Sequence, residues 1–408
     1  MFVAHATDYS KRGTLVTARC SSIRCNEFMN PLIDAIDFDE RPFIAIWEVT
    51  QACDLACVHC RASAQPDRNP FELSTAEGKE LIDQISALQV PVFVLTGGDP
   101  IKRPDLFELI DHARKVGVRV SLTPSATPLL TRDIVVRLKE SGLARLAVSM
   151  DGASAATHDA FRGMSGSFAR TLYAIRWANE VGLPVQINTT FSRRNIAEID
   201  EIVQLMESLK ITLWSVFFLV PTGRGKLDEL LNAEEFEQVF EKLYHLSKTA
   251  SFDLKTTEAQ HYRRYVLQQR VIERKAGVTT TVAPSQALDS IGRAPRGLND
   301  GKGFVFISHM GEVFPSGFLP QSGGSIRQQT LASIYRESPV FLSLRDTSML
   351  EGKCGACEFK EICGGSRSRA FALTGDPLAE EPCCSYVPKG YLKTSAPIAR
   401  EPALNVLY

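Results

Sequence analysis

The chain has 408 residues, with 46 basic side chains against 47 acidic ones for a formal charge of -1. Such balance excludes a nucleic-acid or anionic-membrane partner held mainly by electrostatics and points to a specific ligand. The length exceeds what one core fills, since domains mostly run to about 100 to 200 residues, so two or more are expected.

The first residues, MFVAHATDYSKRG, contain no apolar signal region, and the longest apolar stretch, Ile211 to Val220, falls far short of the roughly 18 residues a membrane span requires. A cytoplasmic protein without a membrane partner is therefore expected. In a reducing compartment, the ten cysteines read as metal ligands rather than disulfides. Cys20 and Cys25 match no metal spacing and read as idle thiols. The remaining eight fall at two places, Cys53 to Cys60 and Cys354 to Cys384.

In chain order, residues 1–40 read as an N-terminal extension. The apolar run 43–49 predicts a strand, and directly after it Cys53-Asp-Leu-Ala-Cys57-Val-His-Cys60 sets three thiols at C-x3-C-x2-C spacing. Iron-sulfur clusters normally take four cysteines, so this loop would leave one iron open for another ligand. Structural zinc is the alternative and would want a fourth ligand nearby. His59 lies between two of the thiols, where its ring cannot easily turn back, and reads as packing beside them.

Five more strands are expected near 91–96, 118–123, 143–149, 184–190 and 211–220, each followed by a helical pattern, which makes six βα units. Ser74 and Glu77 form a capping box, Pro104 suits the first turn of the next helix, and Gly117, Gly142 and Gly182 sit at helix ends. Six units predict an open α/β sheet or an incomplete barrel.

Polar residues gather after the strands, where parallel α/β proteins place ligands. Thr96-Gly97-Gly98-Asp99-Pro100 offers a close backbone approach and a carboxylate for an ammonium, or is an ordinary loop. Ser149-Met150-Asp151-Gly152 suits ribose hydroxyls, and Arg162 in His158-Asp-Ala-Phe-Arg-Gly163 suits a carboxylate; the bland alternatives are a helix N-cap for Asp151 and a structural ion pair for Arg162. Asn188 and the turn Pro221 to Gly225 end the fifth and sixth strands. Asn232 to Lys275 then reads as a charged helical stretch, 279–303 as a linker or mobile loop, and GFVFISHMGEVFPSGF as a hairpin turned at Met310-Gly311. In the tail, Cys354, Cys357 and Cys363 with Cys383 and Cys384 beyond can enclose a metal, and spacing does not distinguish zinc from iron with sulfur. The expected boundaries are 1–40, 41–230, 231–300, 301–390 and 391–408.

The cysteine loop after the first strand resembles the cluster motif of the radical SAM superfamily, and the resemblance covers about residues 43 to 390. It implies an α/β fold, a partial (β/α)6 TIM-like barrel followed by a small cysteine-rich SPASM/twitch domain. It implies a 4Fe-4S cluster on Cys53, Cys57 and Cys60 with S-adenosyl-L-methionine on the open iron. The contacts implied for that cofactor are Gly97, Gly98, Asp99, Ser149, Asp151, Arg162 and Asn188. An auxiliary 4Fe-4S cluster is implied on Cys354, Cys357, Cys363 and Cys384, with Cys383 the rival for the last place. Ser316 and Arg367 stand where a full SPASM domain carries cysteines; both would serve one cluster, so a single auxiliary cluster is expected. Asp99 replaces the commoner glutamate, and Thr123-Pro124-Ser125 replaces Thr-Asn-Gly.

The implied activity is reductive cleavage of S-adenosylmethionine to a 5′-deoxyadenosyl radical that abstracts a substrate hydrogen, fed by a donor such as flavodoxin or ferredoxin. LVPTGRG, HDAFRG and CGGSRSRAFALTGDPLAEEP look most similar to the haem and haem-d branch, which oxidises tetrapyrrole side chains at a propionate hydrogen. Peptide maturases share much of the pattern, so the substrate is a tetrapyrrole-like small molecule or a peptide. An iron-sulfur electron carrier or redox sensor without SAM cleavage is the reading from another class. It has no need of the TGGDP and SMDG segments.

Overall fold

The computed structural model describes residues 36–278 and 297–391. Cys20, Cys25 and most of the expected linker lie outside the described residues. β-Branched and aromatic runs make the six expected strands: β1 (Ile44–Glu48), β2 (Val92–Thr96), β3 (Val120–Leu122), β4 (Arg145–Ser149), β5 (Val185–Phe191) and β6 (Leu213–Phe218). They pair in chain order, all parallel. Helices α1 (Thr75–Ala87), α2 (Leu106–Lys115), α3 (Arg132–Glu140), α4 (Ala155–Arg162), α5 (Ser167–Glu180) and α6 (Ile199–Ser208) make the crossovers. Capping chemistry starts α1 as expected, with Glu77 N donating to Ser74 Oγ at 3.3 Å and Ser74 N to Glu77 Oε2 at 2.7 Å.

The sheet extends beyond six strands at both edges. The stretch expected to be helical from Asn232 to Lys275 holds α7 (Ala233–Leu246) and α8 (Tyr262–Lys275), but between them runs β7 (Asp253–Thr257), parallel to β6. Its sequence DLKTT is half-buried throughout and has no apolar alternation, so neither period marks it as a strand. β8 (Phe304–Ile307) and β9 (Glu312–Phe314) form the expected hairpin around Met310-Gly311, and β10 (Gly324–Ser325) pairs with β9. β8 lies parallel on the free edge of β1, giving one ten-stranded open sheet in the order β10-β9-β8-β1-β2-β3-β4-β5-β6-β7. The cysteine-rich segment adds α9 (Leu331–Glu337), α10 (Pro339–Arg345), α11 (Gly352–Ala356) and α12 (Arg367–Thr374). No helix among the described residues is long and apolar enough to cross a membrane.

Strand alternation sorts the two faces. Trp47, Leu95, Leu122, Val148, Ile187 and Trp214 enter the core shared with the helices. Their neighbours Glu48, Thr96, Ser121, Ser149, Asn188 and Ser215 therefore face the other side, which is polar toward the C-terminal strand ends. Thr189 ties core to site: its hydroxyl donates to Met150 O at 2.7 Å and accepts from Trp214 Nε1 at 2.9 Å. Thr189→Val would strand a buried indole N–H and should cost about 1–3 kcal/mol, read as a lower denaturant midpoint at unchanged slope. An unshifted midpoint would show that this link carries no stability.

Candidate functional site

β1 hands the chain into the cysteine loop, where Cys53 and Cys57 are buried and Cys60 is half-buried in a small apolar cluster with Leu55, Ala64 and Met164. Donors point at the sulfurs: Leu55 N lies 3.3 Å from Cys53 Sγ, Ala64 N 3.5 Å from Cys60 Sγ, and Arg162 Nη1 3.8 Å from Cys57 Sγ. Ser125 Oγ is 3.3 Å from Cys53 Sγ. Burial pushes the Cys53 thiol up to about 11, against the pull of Ser125, and raises that of Cys57 against Arg162. Bound metal deprotonates such thiols. Three sulfurs gathered in one apolar hollow and met by N–H donors fit the thiolate ligands of an iron-sulfur cluster.

The turns after the other strands press on this loop. Gly98 N donates to Thr50 O at 2.8 Å and Asp99 N to Ala52 O at 2.6 Å. A Cβ on Gly97 would stand 2.5 Å from Thr50 O, and one on Gly98 2.4 Å from Ala52 O. The close approach read from these glycines is thus to the chain's own backbone. Asp99 is buried, and its carboxylate accepts from Ile101 N (3.2 Å), Ser125 N (3.4 Å) and Thr127 Oγ1 (2.9 Å), capping the turn at Pro100. Ser125, which replaces an expected glycine, donates to Gly98 O at 2.9 Å. The turn after β6 does the same from the far side, with Arg224 Nε on Cys57 O (2.8 Å), Arg224 N on Cys60 O (2.9 Å), and Gly223 at φ +59 against the backbone of Cys60 and Arg61.

Asp151 and Arg162 turn to each other as a buried ion pair, the structural alternative named for Arg162. Asp151 also accepts from Thr190 N at 2.6 Å, and the N-cap of α4 is Ser154 rather than Asp151. Burial opposes the Arg162 charge, but Asp151 and Cys57 outweigh it and hold its pKa above the usual value. The HDAFRG segment is a buttress: His158 Nδ1 accepts from Asp151 N (3.0 Å), Asp159 binds Gly166 N and Phe168 N (2.6 and 2.7 Å), and Phe161 O accepts from Val58 N (3.0 Å). His59 packs on the Phe161 ring at 4.5 Å between centroids. Ser149 and Asn188 stay on the polar face, directly paired across β4 and β5.

The Radical SAM superfamily profile matches residues 47–206. An AdoMet-dependent heme synthase of Methanosarcina barkeri is 42% identical over 347 residues, 85% of this chain and 97% of that protein. The chain belongs to the radical SAM superfamily. An Fe-coproporphyrin III synthase of the same organism is 31% identical over 85% of this chain and 88% of its own length. Streptococcus suis SuiB bound to its precursor peptide SuiA shares the fold at TM-score 0.65 and 18% identity, over 85% of this chain and 76% of its own. Radical SAM membership makes the protein an enzyme whose cofactors are a 4Fe-4S cluster and S-adenosylmethionine.

A second set of thiols lies in the radical SAM enzyme's tail. Cys354, Cys357, Cys363 and Cys384 line one cleft of about 370 Å³, part of it open to solvent, together with His261, Arg264 and Glu381. N–H donors again meet sulfur: Glu381 N on Cys354 (3.2 Å), Phe359 N on Cys357 (3.4 Å) and Gly365 N on Cys363 (3.4 Å). Cys383 points away into the main core, its Sγ 3.6 Å from Leu231 O. Among the described residues no three His, Cys, Asp or Glu side chains converge tightly enough for a single metal ion. Arg367 donates to Cys354 Sγ at 3.7 Å and to Ala379 O at 2.6 Å, and Ser316 to Glu258 Oε1 at 3.4 Å.

Sequence reading placed Arg224 and Ser125 in strand-end turns without their clamping contacts, and it missed the buried group Glu48, which binds Arg61 Nη2 at 2.6 Å and His309 Nδ1 at 2.8 Å. The strand-end position of Glu48 and Ser125 was the available signal. A Gly98→Val side chain has no room against Ala52, so reconstituted protein should carry about four fewer irons per chain, the content of one cluster. Iron analysis, with circular dichroism to show the fold retained, checks this; undiminished iron would mean that the loop does not depend on that contact.

Proposed function

We propose that this enzyme oxidises a propionate side chain of an iron-porphyrin-type tetrapyrrole. The observation that carries the reading is 42% identity to a heme synthase over 85% of this chain and 97% of that protein. When bound, the three-cysteine cluster and S-adenosylmethionine supply a 5′-deoxyadenosyl radical that takes one hydrogen atom from substrate. Ser149 and Asn188 offer a hydroxyl and an amide to the cofactor from the polar face. Arg162, fixed by Asp151, places positive charge beside Cys57.

Loss of a hydrogen atom and then an electron from a propionate is a two-electron oxidation, and the second electron needs an acceptor. Cys354, Cys357, Cys363 and Cys384 would hold an auxiliary 4Fe-4S cluster suited to take it or to contact substrate. The donor for the first electron would be a flavodoxin or ferredoxin.

Reduced anaerobically, reconstituted enzyme should make 5′-deoxyadenosine, and Cys57→Ala should abolish this. With Fe-coproporphyrin III it should yield products lighter by carbon dioxide and two hydrogens per side chain; activity only on a peptide would replace the tetrapyrrole reading, and no SAM cleavage at all would sink the enzyme reading. Iron and sulfide should each reach about eight per chain, falling to about four in Cys384→Ala but not in Cys383→Ala. About four irons with one zinc in the native chain would overturn the auxiliary cluster.

A further inference from the structure

The segment that leads from β7 into α8 is bound to the cysteine-rich tail. Gln260 Nε2 donates to Asn299 Oδ1 at 2.8 Å, and Asn299 Nδ2 donates in turn to Cys363 O at 3.2 Å and Gly365 O at 2.9 Å. Arg263 Nη1 donates to Ile362 O at 2.9 Å. His261 lies between these two residues and is thus tied on both sides to the loop that carries Cys363. Phe236 and Phe240 of α7 hold its ring, with centroids 5.1 and 4.8 Å away.

His261 is 1% exposed and lines the thiol cleft beside Cys354, Cys357, Cys363 and Cys384. Neither of its ring nitrogens has a hydrogen-bond partner among the described residues. An imidazole carries at least one N–H whether neutral or protonated, and a buried donor left unpaired is destabilising. The acid that shares the cleft is already taken up. Glu381 accepts from Arg369 Nε and Cys383 N on one oxygen, and from Ser366 N and Arg369 Nη2 on the other. What the cleft gathers around this ring is sulfur, and cluster sulfurs accept hydrogen bonds.

We propose that His261 donates a ring N–H to a sulfur of the cluster held by Cys354, Cys357, Cys363 and Cys384, and that this bond raises the potential at which the cluster takes an electron. The inference rests on the reading of these cysteines as an auxiliary 4Fe-4S site. Hydrogen bonds to the sulfurs help to set a cluster's potential. A donor favours the reduced form, which carries one more negative charge. The step served is the second electron of propionate oxidation: a side chain that has lost one hydrogen atom gives up carbon dioxide and one electron as its two remaining carbons become a vinyl group, and that electron reduces the cluster by one. His261 exchanges no proton or electron in this step and is a positioning residue.

The test is a redox titration of reconstituted enzyme followed by electron paramagnetic resonance, in wild type, His261→Phe and His261→Gln. Addition of S-adenosylmethionine perturbs the signal of the three-cysteine cluster and so identifies the auxiliary one. His261→Phe keeps a ring packed against Phe236 and Phe240; it should retain about eight irons per chain and lower the auxiliary potential by about 59 mV or more, a ten-fold change in a one-electron equilibrium. His261→Gln should recover part of that shift through its amide N–H. In wild type carrying isotope-labelled histidine, pulsed spectroscopy of the reduced auxiliary cluster should show a weak nitrogen coupling, a readout that depends on no variant folding. An unshifted potential at full iron content, or the absence of nitrogen coupling, overturns the inference and leaves the auxiliary cluster standing. A strong coupling overturns it by making His261 a ligand to iron. About four irons per chain in wild type overturns the auxiliary cluster and the inference together.

Discussion

The cysteine loop is held by backbone touching backbone. Thr50 to Ala52 on one side and Cys60 to Arg61 on the other are met by turns whose glycines leave no space for a side chain. Carbonyls of the loop are consumed by Gly98, Asp99 and Arg224, so little of its main chain is free to move. A three-thiolate cluster needs its sulfurs fixed while one iron stays accessible, and side-chain packing alone would allow rotamer freedom that amide contacts deny. The polar face, the ion pair beside Cys57 and the ring of strand-end turns all take their positions from this loop.

Much of this arrangement was legible in the sequence because it rests on spacing and alternation. The six parallel strands announce themselves by β-branched runs, the α1 cap by Ser74 and Glu77, and the hairpin by Gly311, whose φ of +90 few other residues adopt. β7 was not legible, since DLKTT packs edge-on with polar side chains and shows no apolar face. The charges at the strand ends stand out in the sequence, and the structural ion pair offered there for Arg162 is formed with Asp151. Asp99, Asp151 and Arg162 are charged groups whose work is set by what lies within about 3 Å in space, and a one-dimensional reading supplies only that they need a partner. Cys383 and Cys384 illustrate the same limit, being adjacent in sequence yet facing the core and the thiol-lined cleft respectively.

Around the thiols of the tail lies a buried network of serines, acids and an arginine. Ser316 and Ser366 bond to Glu258, Ser368 to Asp300, and Arg369 to Glu381, all buried. Burial, and after it the neighbouring Asp300 charge, push the Glu258 carboxyl well above the usual carboxylate range. This hydrogen-bonded acid network joins the end of β7 to α12.

The pairing of β8 with β1 has a cost in time. Phe304 to Ile307 meet Ile44 to Trp47 only after roughly 250 intervening residues have been made, which at about 5 to 20 residues per second takes some 13 to 50 s of synthesis. Throughout that interval the outer edge of β1, the strand that leads into the cluster loop, has open amides and carbonyls next to Ile44 and Ile46 and can recruit strands of other chains. Assembly of the radical-generating half of the sheet therefore waits on the tail, and a nascent chain stalled before residue 304 is an aggregation hazard rather than a smaller working enzyme.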